Sequence, residues 1–357
     1  MILAGDVGGT KCNIALVEAP PGSGEAAEHA RAEAGAGGAV AGAARDSAFR
    51  IAFLRRYPSQ NYAQFADVIA EFLHDARKVL EASGSSQVLA AGFGVAGPVI
   101  GRSVRVTNVH WSVDAAALES QLDTRHVVLL NDLEATGYSL AWLPAADMFL
   151  LNPGNPAPRA PQALLAAGTG LGESILHWDG ERYAVFPSEG GHTDFAPRTE
   201  QEIELLRYMK KTNKFVSWEL VVSGRGFRVI HEFLNANVRH ASFAEPGADP
   251  AQEITRRGLD GSCEVCVRTL DLWTALYGAE AGNLALKALA RGGVFVAGGI
   301  APKILPKMKD GTFLRAFCEK ENFADLLAAM PVQIVLNQDA PLLGAAAEAW
   351  RAHAHEK

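Results

Sequence analysis

The sequence predicts an α/β protein folded as two lobes, and three observations predict it. The chain has 357 residues, more than the roughly 150 expected of a single domain. Short apolar runs suited to strands alternate with stretches of helical periodicity. Several of these runs end on a glycine pair or an acid, where loops at the carboxyl edge of a sheet build ligand sites.

Taken in order, Ile2, Leu3 and Ala4 lead into Gly8 and Gly9, and Ile14 to Val17 follow, so residues 1–17 read as a hairpin around a glycine turn. Residues 18–45 are rich in Ala, Gly, Glu and Pro without periodicity, an insertion between strands that suits solvent better than a core. Phe49, Ile51 and Phe53 alternate with polar or small residues like a half-buried strand. Phe65, Val68, Ile69, Phe72 and Leu73 then recur at helical spacing up to Leu80, a helix expected to pack on a sheet. Apolar runs at 88–95 and 126–130 read as strands with functional ends, as do 163–167 and 293–297, while the 200s and 270s read mainly as helix.

Apolar residues make up 48%, charged residues 20% and aromatics 8%, the composition of a soluble globular protein. A net charge of -7 gives no electrostatic footprint for nucleic acid or an anionic membrane, so no nucleic-acid partner is expected, and an anionic ligand must be held by local backbone geometry. The four cysteines, Cys12, Cys263, Cys266 and Cys318, are too few and too scattered for a disulfide framework and point to a reducing compartment. Cys263 and Cys266 have C-x2-C spacing, but no second pair or His pair stands near them in sequence, so they read as helix-borne thiols. No secretory n-region and no membrane-length apolar run is seen, so a cytoplasmic protein is expected.

Three strand-terminal glycine turns suggest a nucleotide site. Asp6, Gly8, Gly9, Thr10 and Lys11 place an acid before a turn whose N-H groups suit phosphate, while the acid suits hydrated magnesium; a plain hairpin is the competing reading. Gly168, Thr169, Gly170 and Gly172 repeat the design, and Gly298 and Gly299 end a third strand where a flat base can approach the backbone. No Walker A pattern occurs. Gly92, Gly94 and Gly97 match G-x-G-x-x-G, but Pro98 and the alternating Val104 and Val106 suggest a hairpin after them where a dinucleotide fold requires a helix.

Among the polar residues, Asp132 follows Asn131 at the end of a buried strand. It suits a general base that accepts a hydroxyl proton during phosphoryl transfer, and it suits a helix cap equally well. Glu189, Gly190, Gly191 and His192 form a short loop of mixed donors and acceptors suited to sugar hydroxyls. Glu219 reads either as a further sugar ligand or as a helix-surface glutamate. Asn108 lies in a polar turn, 107–111, beside Trp111, which reads either as a sugar contact or as a packed turn.

With those residues assembled, the sequence resembles the bacterial glucokinases of the hexokinase/actin-like kinase superfamily. The stretches GDVGGTK, GVAGPV, TNVHW, LLNDLEATGYSL, GTGLG, EGGHTDFAPR and VAGGIAPK carry the likeness in order. The resemblance implies a two-lobed actin/hexokinase-like (ribonuclease H-like) fold with the active site in the interlobe cleft. A small lobe of 1–142 and 337–357 and a large lobe of 143–336 go with it. It implies MgATP-dependent phosphorylation of glucose at the start of glycolysis, with Asp132 as catalytic base. Asn108, Asn131, Asp132, Glu189, His192 and Glu219 would bind the sugar. Asp6, Gly8, Gly9, Thr10, Lys11, Gly168, Thr169, Gly170, Gly298 and Gly299 would bind ATP, and Asp6 would hold Mg2+ through water. A cytoplasmic homodimer is also implied.

Residues 18–45 are longer than the hairpin connection of that family, and the cysteine-rich zinc motif of the related repressor/open-reading-frame/kinase group is missing, which favours the branch without it. A kinase for another hexose, such as mannose or N-acetylglucosamine, and a non-catalytic sugar sensor are the rivals. A sensor would carry a helix-turn-helix, which is not expected ahead of a chain that opens on the phosphate hairpin.

Overall fold

Strands β1 (Ile2–Val7) and β2 (Lys11–Glu18) form the expected antiparallel hairpin, in register from Ile2 opposite Val17 to Val7 opposite Cys12. In the computed structural model, the described residues are 1–20, 49–84, 87–235, 240, 243 and 249–355. The Ala/Gly-rich insertion therefore lies outside the described residues from position 21 onward. β3 (Arg50–Pro58) pairs antiparallel with β2, as the expected strand, but a register shift opposite Leu16 and Val17 breaks the alternation: Phe49 and Ile51 join one core while Phe53 joins the core on the other face beside Phe72.

β4 (Ala90–Val95) joins β1 in parallel, and β8 (Val127–Asn131) joins β4 in parallel, giving a five-stranded sheet in the order β3-β2-β1-β4-β8. Between them β5 (Val99–Ile100), β6 (Ser103–Arg105) and β7 (Ser112–Asp114) form a small antiparallel sheet. A hairpin thus follows Gly92 to Gly97, and a dinucleotide-binding helix does not.

Helix Phe65–Ala82 buries Phe65, Val68, Ile69, Phe72, Ala76 and Leu80 on one side, and Gln64 with Asp67 makes its capping box. These side chains share a core with Leu3, Ile14, Leu16 and Phe93 of the sheet. Burying each is worth about 1.5–3 kcal/mol, which favours the packed helix over its exposed form.

The other face of the sheet is covered by helix Ala340–Ala354, whose side chains pack against Ile2, Ala4, Ala15 and Val17. Its residues are small where it meets its neighbours. A Cβ on Gly92 would run into the Ala345 carbonyl and lie 3.2 Å from Ala349 Cβ. A Cβ on Gly344 would run into the Ala135 carbonyl of helix Asp132–Ser139. Both glycines are required by backbone approach and not by their own dihedral angles.

A second sheet has the order β12-β11-β10-β13-β14-β9, from β9 (Met148–Asn152), β10 (Gln162–Ala167), β11 (Leu171–Trp178), β12 (Tyr183–Ser188), β13 (Gly293–Ala297) and β14 (Val332–Val335). β10, β13 and β14 run parallel. Helix Glu264–Ala288 packs with them through Trp273, Leu276, Tyr277 and Leu284. Among the described residues no helix is long and apolar enough to cross a membrane.

The chain divides into two compact units. The first is Met1–Met148, Leu176–Pro187 and Asn337–Lys357; the second is Phe149–Ile175 and Ser188–Leu336. The sequence reading put residues 143–148 and 176–187 in the larger lobe. In the structure they group with the first unit, where a Cβ on Gly137 would lie 2.8 Å from Val185 and Arg182 pairs with Glu348.

Gly344→Ala is expected to lower the urea midpoint of unfolding by an amount equivalent to about 1–3 kcal/mol or more, since the extra methyl meets backbone that cannot swing aside. An unchanged midpoint would mean that helix Ala340–Ala354 lies further from helix Asp132–Ser139 than described.

Candidate active site

The carboxyl ends of the parallel strands β1, β4 and β8 bring the first group of residues together. Asp6 lies opposite Gly94, and Val95 opposite Asn131. Gly94 keeps the space between them clear, since a Cβ there would stand 2.9 Å from Ala135 Cβ.

Asn131 caps helix Asp132–Ser139. Its Oδ1 accepts the Leu133 N-H at 3.0 Å, and the Glu134 carboxylate accepts the Asn131 N-H at 3.2 Å. Asn131 Nδ2 also donates to the Gly97 carbonyl at 3.4 Å. Of the two readings left open for Asp132, the cap therefore falls mainly to its neighbour. Asp132 is the first helical residue, half-buried, and its Oδ1 accepts the Leu133 N-H at 2.9 Å. The side chain of Asn131, expected on the sugar, is engaged by this cap.

Asp6 accepts a hydrogen bond from Asn13 Nδ2 at 2.9 Å, and Asn13 lies opposite it in the hairpin. Burial first, and then the charge of Asp132, push the Asp6 carboxyl up to about 6, with Asp339 acting in the same sense. Asn13 Oδ1 is buried with no partner among the described residues. A carboxyl raised in this way by neighbouring negative charge is relieved by a cation, and this fits a site for magnesium held by Asp6.

The turn after β1 is closed by the Gly8 N-H donating to the Lys11 carbonyl at 3.0 Å, so that amide is already committed within the hairpin. Ser59 Oγ donates to the Gly8 carbonyl at 2.6 Å. Gly9 lies against the turn of Thr107 and Asn108, where a Cβ would sit 2.8 Å from Asn108 Cβ. Asn108 has φ 66°, a left-handed conformation that Asn tolerates better than most residues. Thr10, Lys11 and Asn108 are exposed, whereas Trp111 is buried and donates to the Tyr62 carbonyl at 3.1 Å. The turn 107–111 is thus both packed, through Trp111, and open, through Asn108.

On the second unit the two remaining glycine turns are neighbours, since Ala166 of β10 lies opposite Ala297 of β13. Gly298 has φ +86°, and a Cβ on it would meet the Ala167 backbone. Beneath them the buried Tyr277 hydroxyl accepts the Ala167 N-H at 3.3 Å and donates to the Ala297 carbonyl at 3.4 Å. The Gly168 carbonyl accepts the Gly224 N-H at 2.9 Å. Thr169 is exposed, and Gly168, Gly170 and Gly299 are half-buried.

Glu219 is not a helix-surface residue. It is half-buried, and its Oε2 accepts the Leu171 N-H at 3.1 Å against Gly170. Gly191 packs on the Leu171 carbonyl, and Trp218 N-H donates to the Thr193 carbonyl at 3.1 Å. The structure therefore brings Glu189, His192 and Glu219 to the start of β11. Glu189 and His192 are exposed, with His192 Nε2 3.9 Å from Glu189 Oε2.

Sequence reasoning missed the supports under this loop. Glu173 is buried below Gly190, and burial followed by the charge of Glu280 holds its carboxyl well above the usual range. An acid inside the apolar run 171–176 was a visible signal for it.

Comparison with known proteins agrees across the chain. A family model described as Glucokinase matches residues 31–352. A protein of Nostoc sp. named Glucokinase is 37% identical, with 97% of this chain and 98% of that protein covered. The crystal structure of a glucokinase from an Antarctic psychrotroph is similar with a TM-score of 0.77 and 26% identity, covering 100% of this chain and 99% of that one. A ROK family glucokinase from Streptomyces griseus, solved in complex with glucose and AMPPNP, shares the fold with a TM-score of 0.63 and 20% identity, covering 98% of this chain and 99% of that one.

The raised Asp6 carboxyl has a measurable consequence. A carboxyl that holds its proton more tightly when folded favours the native state most at low pH, and this advantage is lost as pH rises from about 4 to about 6. Asp6→Asn cannot ionise, so its Tm relative to the parent protein should rise across about pH 4 to 6 and level off above about pH 7. Parallel Tm curves for the two proteins would contradict the placement of Asp6 among buried negative charge.

Proposed function

The chain belongs to the glucokinase family, and we propose that it transfers the γ-phosphoryl group of MgATP directly to the 6-hydroxyl of glucose, with Asp132 as the base. The observation that carries the role of Asp132 is the division of work at the end of β8. Asn131 and Glu134 make the capping box, so helix capping alone does not explain an acid at 132. Asp132 also lies close enough to Asp6 to raise it, which sets the proposed base beside the proposed magnesium residue.

On the first unit, Asp132 accepts the hydroxyl proton as the oxygen attacks phosphorus in line, with Asn131 and Asn108 as further sugar ligands. For Asn131 the backbone, and not the capped side chain, is the part left to a sugar. On the second unit, Glu189, His192 and Glu219 are assigned to sugar hydroxyls, Glu219 with one oxygen already held by Leu171. The turns at Gly8, Gly9, Thr10 and Lys11, at Gly168, Thr169 and Gly170, and at Gly298 and Gly299 are assigned to ATP. Their backbone groups and the Thr10 and Lys11 side chains supply fixed dipoles and charge for phosphate oxygens. Asp6 would hold Mg2+ through water; when bound, the ion neutralises charge on the phosphate oxygens. No covalent enzyme intermediate is needed. The same resemblance extends the reading to a cytoplasmic homodimer at the start of glycolysis.

A coupled ADP-release assay with MgATP and glucose, beside mannose, N-acetylglucosamine and no-sugar controls, tests the reading. Fast glucose-dependent turnover is expected; glucose binding without turnover would instead favour a sensor. Asp132→Ala should keep a measurable glucose affinity by calorimetry while kcat falls about 10²–10⁴-fold. A near-normal kcat would remove Asp132 from the base role.

A further inference from the structure

The thiol pair set aside in the sequence gains partners in the fold. Helix Gly224–Asn235 buries His231, which is 2% exposed, and helix Glu264–Ala288 begins at Cys263 and carries the fully buried Cys266 in its first turn. His240 comes in beside them, with Nε2 3.3 Å from Cys266 Sγ. One ligand atom from each of His231, His240 and Cys266 lies within 4.8 Å of the others. Cys263, three residues before Cys266 at the start of the same helix, brings the second thiol to this end of the cluster. All four residues belong to the second unit, and none is assigned to sugar or nucleotide.

Two further observations point to a ligand. His231 Nε2 is buried with no hydrogen-bond partner among the described residues. A buried polar nitrogen in that state carries an uncompensated loss of hydration unless something coordinates it. Phe243 stands edge-on to both imidazoles, with ring centroids 5.6 Å from His231 and 5.1 Å from His240. This apolar cover lowers the local dielectric and limits water access, as hydrophobic shells around metal sites do.

We propose that His231, His240, Cys263 and Cys266 form a structural zinc site that ties the end of helix Gly224–Asn235 to the start of helix Glu264–Ala288. Two thiolates and two neutral imidazoles make a closed tetrahedral set whose charge cancels that of a divalent ion, and this ligand mix selects zinc over the oxygen-seeking magnesium and calcium. Zinc bonds of about 2.0–2.3 Å place ligand atoms about 3.3–3.8 Å apart, so the three atoms of His231, His240 and Cys266, within 4.8 Å of one another, need only a small closure; Cys263, which lies outside that group, would complete the set by turning its side chain inward. Binding releases the thiol protons to solvent and changes no oxidation state.

The test uses the full reduced chain, purified without a histidine tag or chelator. Elemental analysis should find about one zinc per chain. Stripping the protein and adding Co2+ alone should give a thiolate-to-metal charge-transfer band with the visible bands of tetrahedral cobalt, displaced by Zn2+. Cys263→Ser with His240→Ala, both at half-buried positions, should lose the zinc and the cobalt spectrum while keeping the far-ultraviolet circular dichroism. The cobalt experiment on the parent protein does not depend on the variant folding. Absence of zinc together with absence of the cobalt bands overturns the proposal. So does zinc retained undiminished by the folded double variant, or a Cys263–Cys266 disulfide whose reduction yields a dithiol that takes no metal.

Discussion

The distance at which helix Ala340–Ala354 lies on the first sheet governs what the residues around Asp132 can do. Ala345 and Ala349 approach Gly92 of β4 while Gly344 approaches Ala135, so one helix fixes both a strand and the helix that starts at Asp132. The carboxylates of the proposed site are not held by their own hydrogen bonds alone. Their strand and helix are seated by apolar backbone contact, and close-packed interiors transmit a displacement of even one methylene. A stretch of sequence with no chemistry of its own thereby sets the geometry of the chemistry.

Each unit places its polar residues where strands end. On the first, parallel β1, β4 and β8 deliver Asp6 and Gly94 at one level and Asn131 one residue further along. On the second, β10 and β13 deliver Gly168 and Gly298 side by side. The two solutions differ in electrostatics. The first sets Asp6 beside the negative charge of Asp132 and Asp339, which adds to burial in raising it and so favours a cation. The second offers mostly backbone dipoles, with Glu219 already hydrogen-bonded to the turn it adjoins.

Much of this was legible because local pattern and tertiary context agree. The hairpin at 1–17, helix Phe65–Ala82 and the strand-terminal glycine turns follow from periodicity and turn chemistry, and the structure keeps all of them. The residues that sequence misjudged are those whose surroundings come from far along the chain. Glu219 looked like a surface helix residue because its partner, Leu171, is remote in sequence. Helix Ala340–Ala354 went unread because its small residues lack a strong apolar stripe and make sense only against Gly92. Cys263 and Cys266 looked isolated because ligand spacing was sought nearby, whereas His231 comes from another helix. Asn131 and Asp132 were ambiguous because adjacent polar residues at a helix start compete for the same N-H groups, and only coordinates divide the roles.

The Tyr277 hydroxyl, buried between the Ala167 amide and the Ala297 carbonyl, joins the ends of two strands in addition to their ladder hydrogen bonds. A ligand touching both turns meets a surface whose two halves cannot drift apart, so little orientational entropy is left to lose on binding. Preorganisation of this kind selects by shape as well as by charge: a molecule that spans only one turn forgoes the contacts of the other. With the nucleotide held as proposed, an innovation in nucleotide preference would have to remodel both turns together, which makes this pair of strand ends an evolutionary unit larger than either glycine motif.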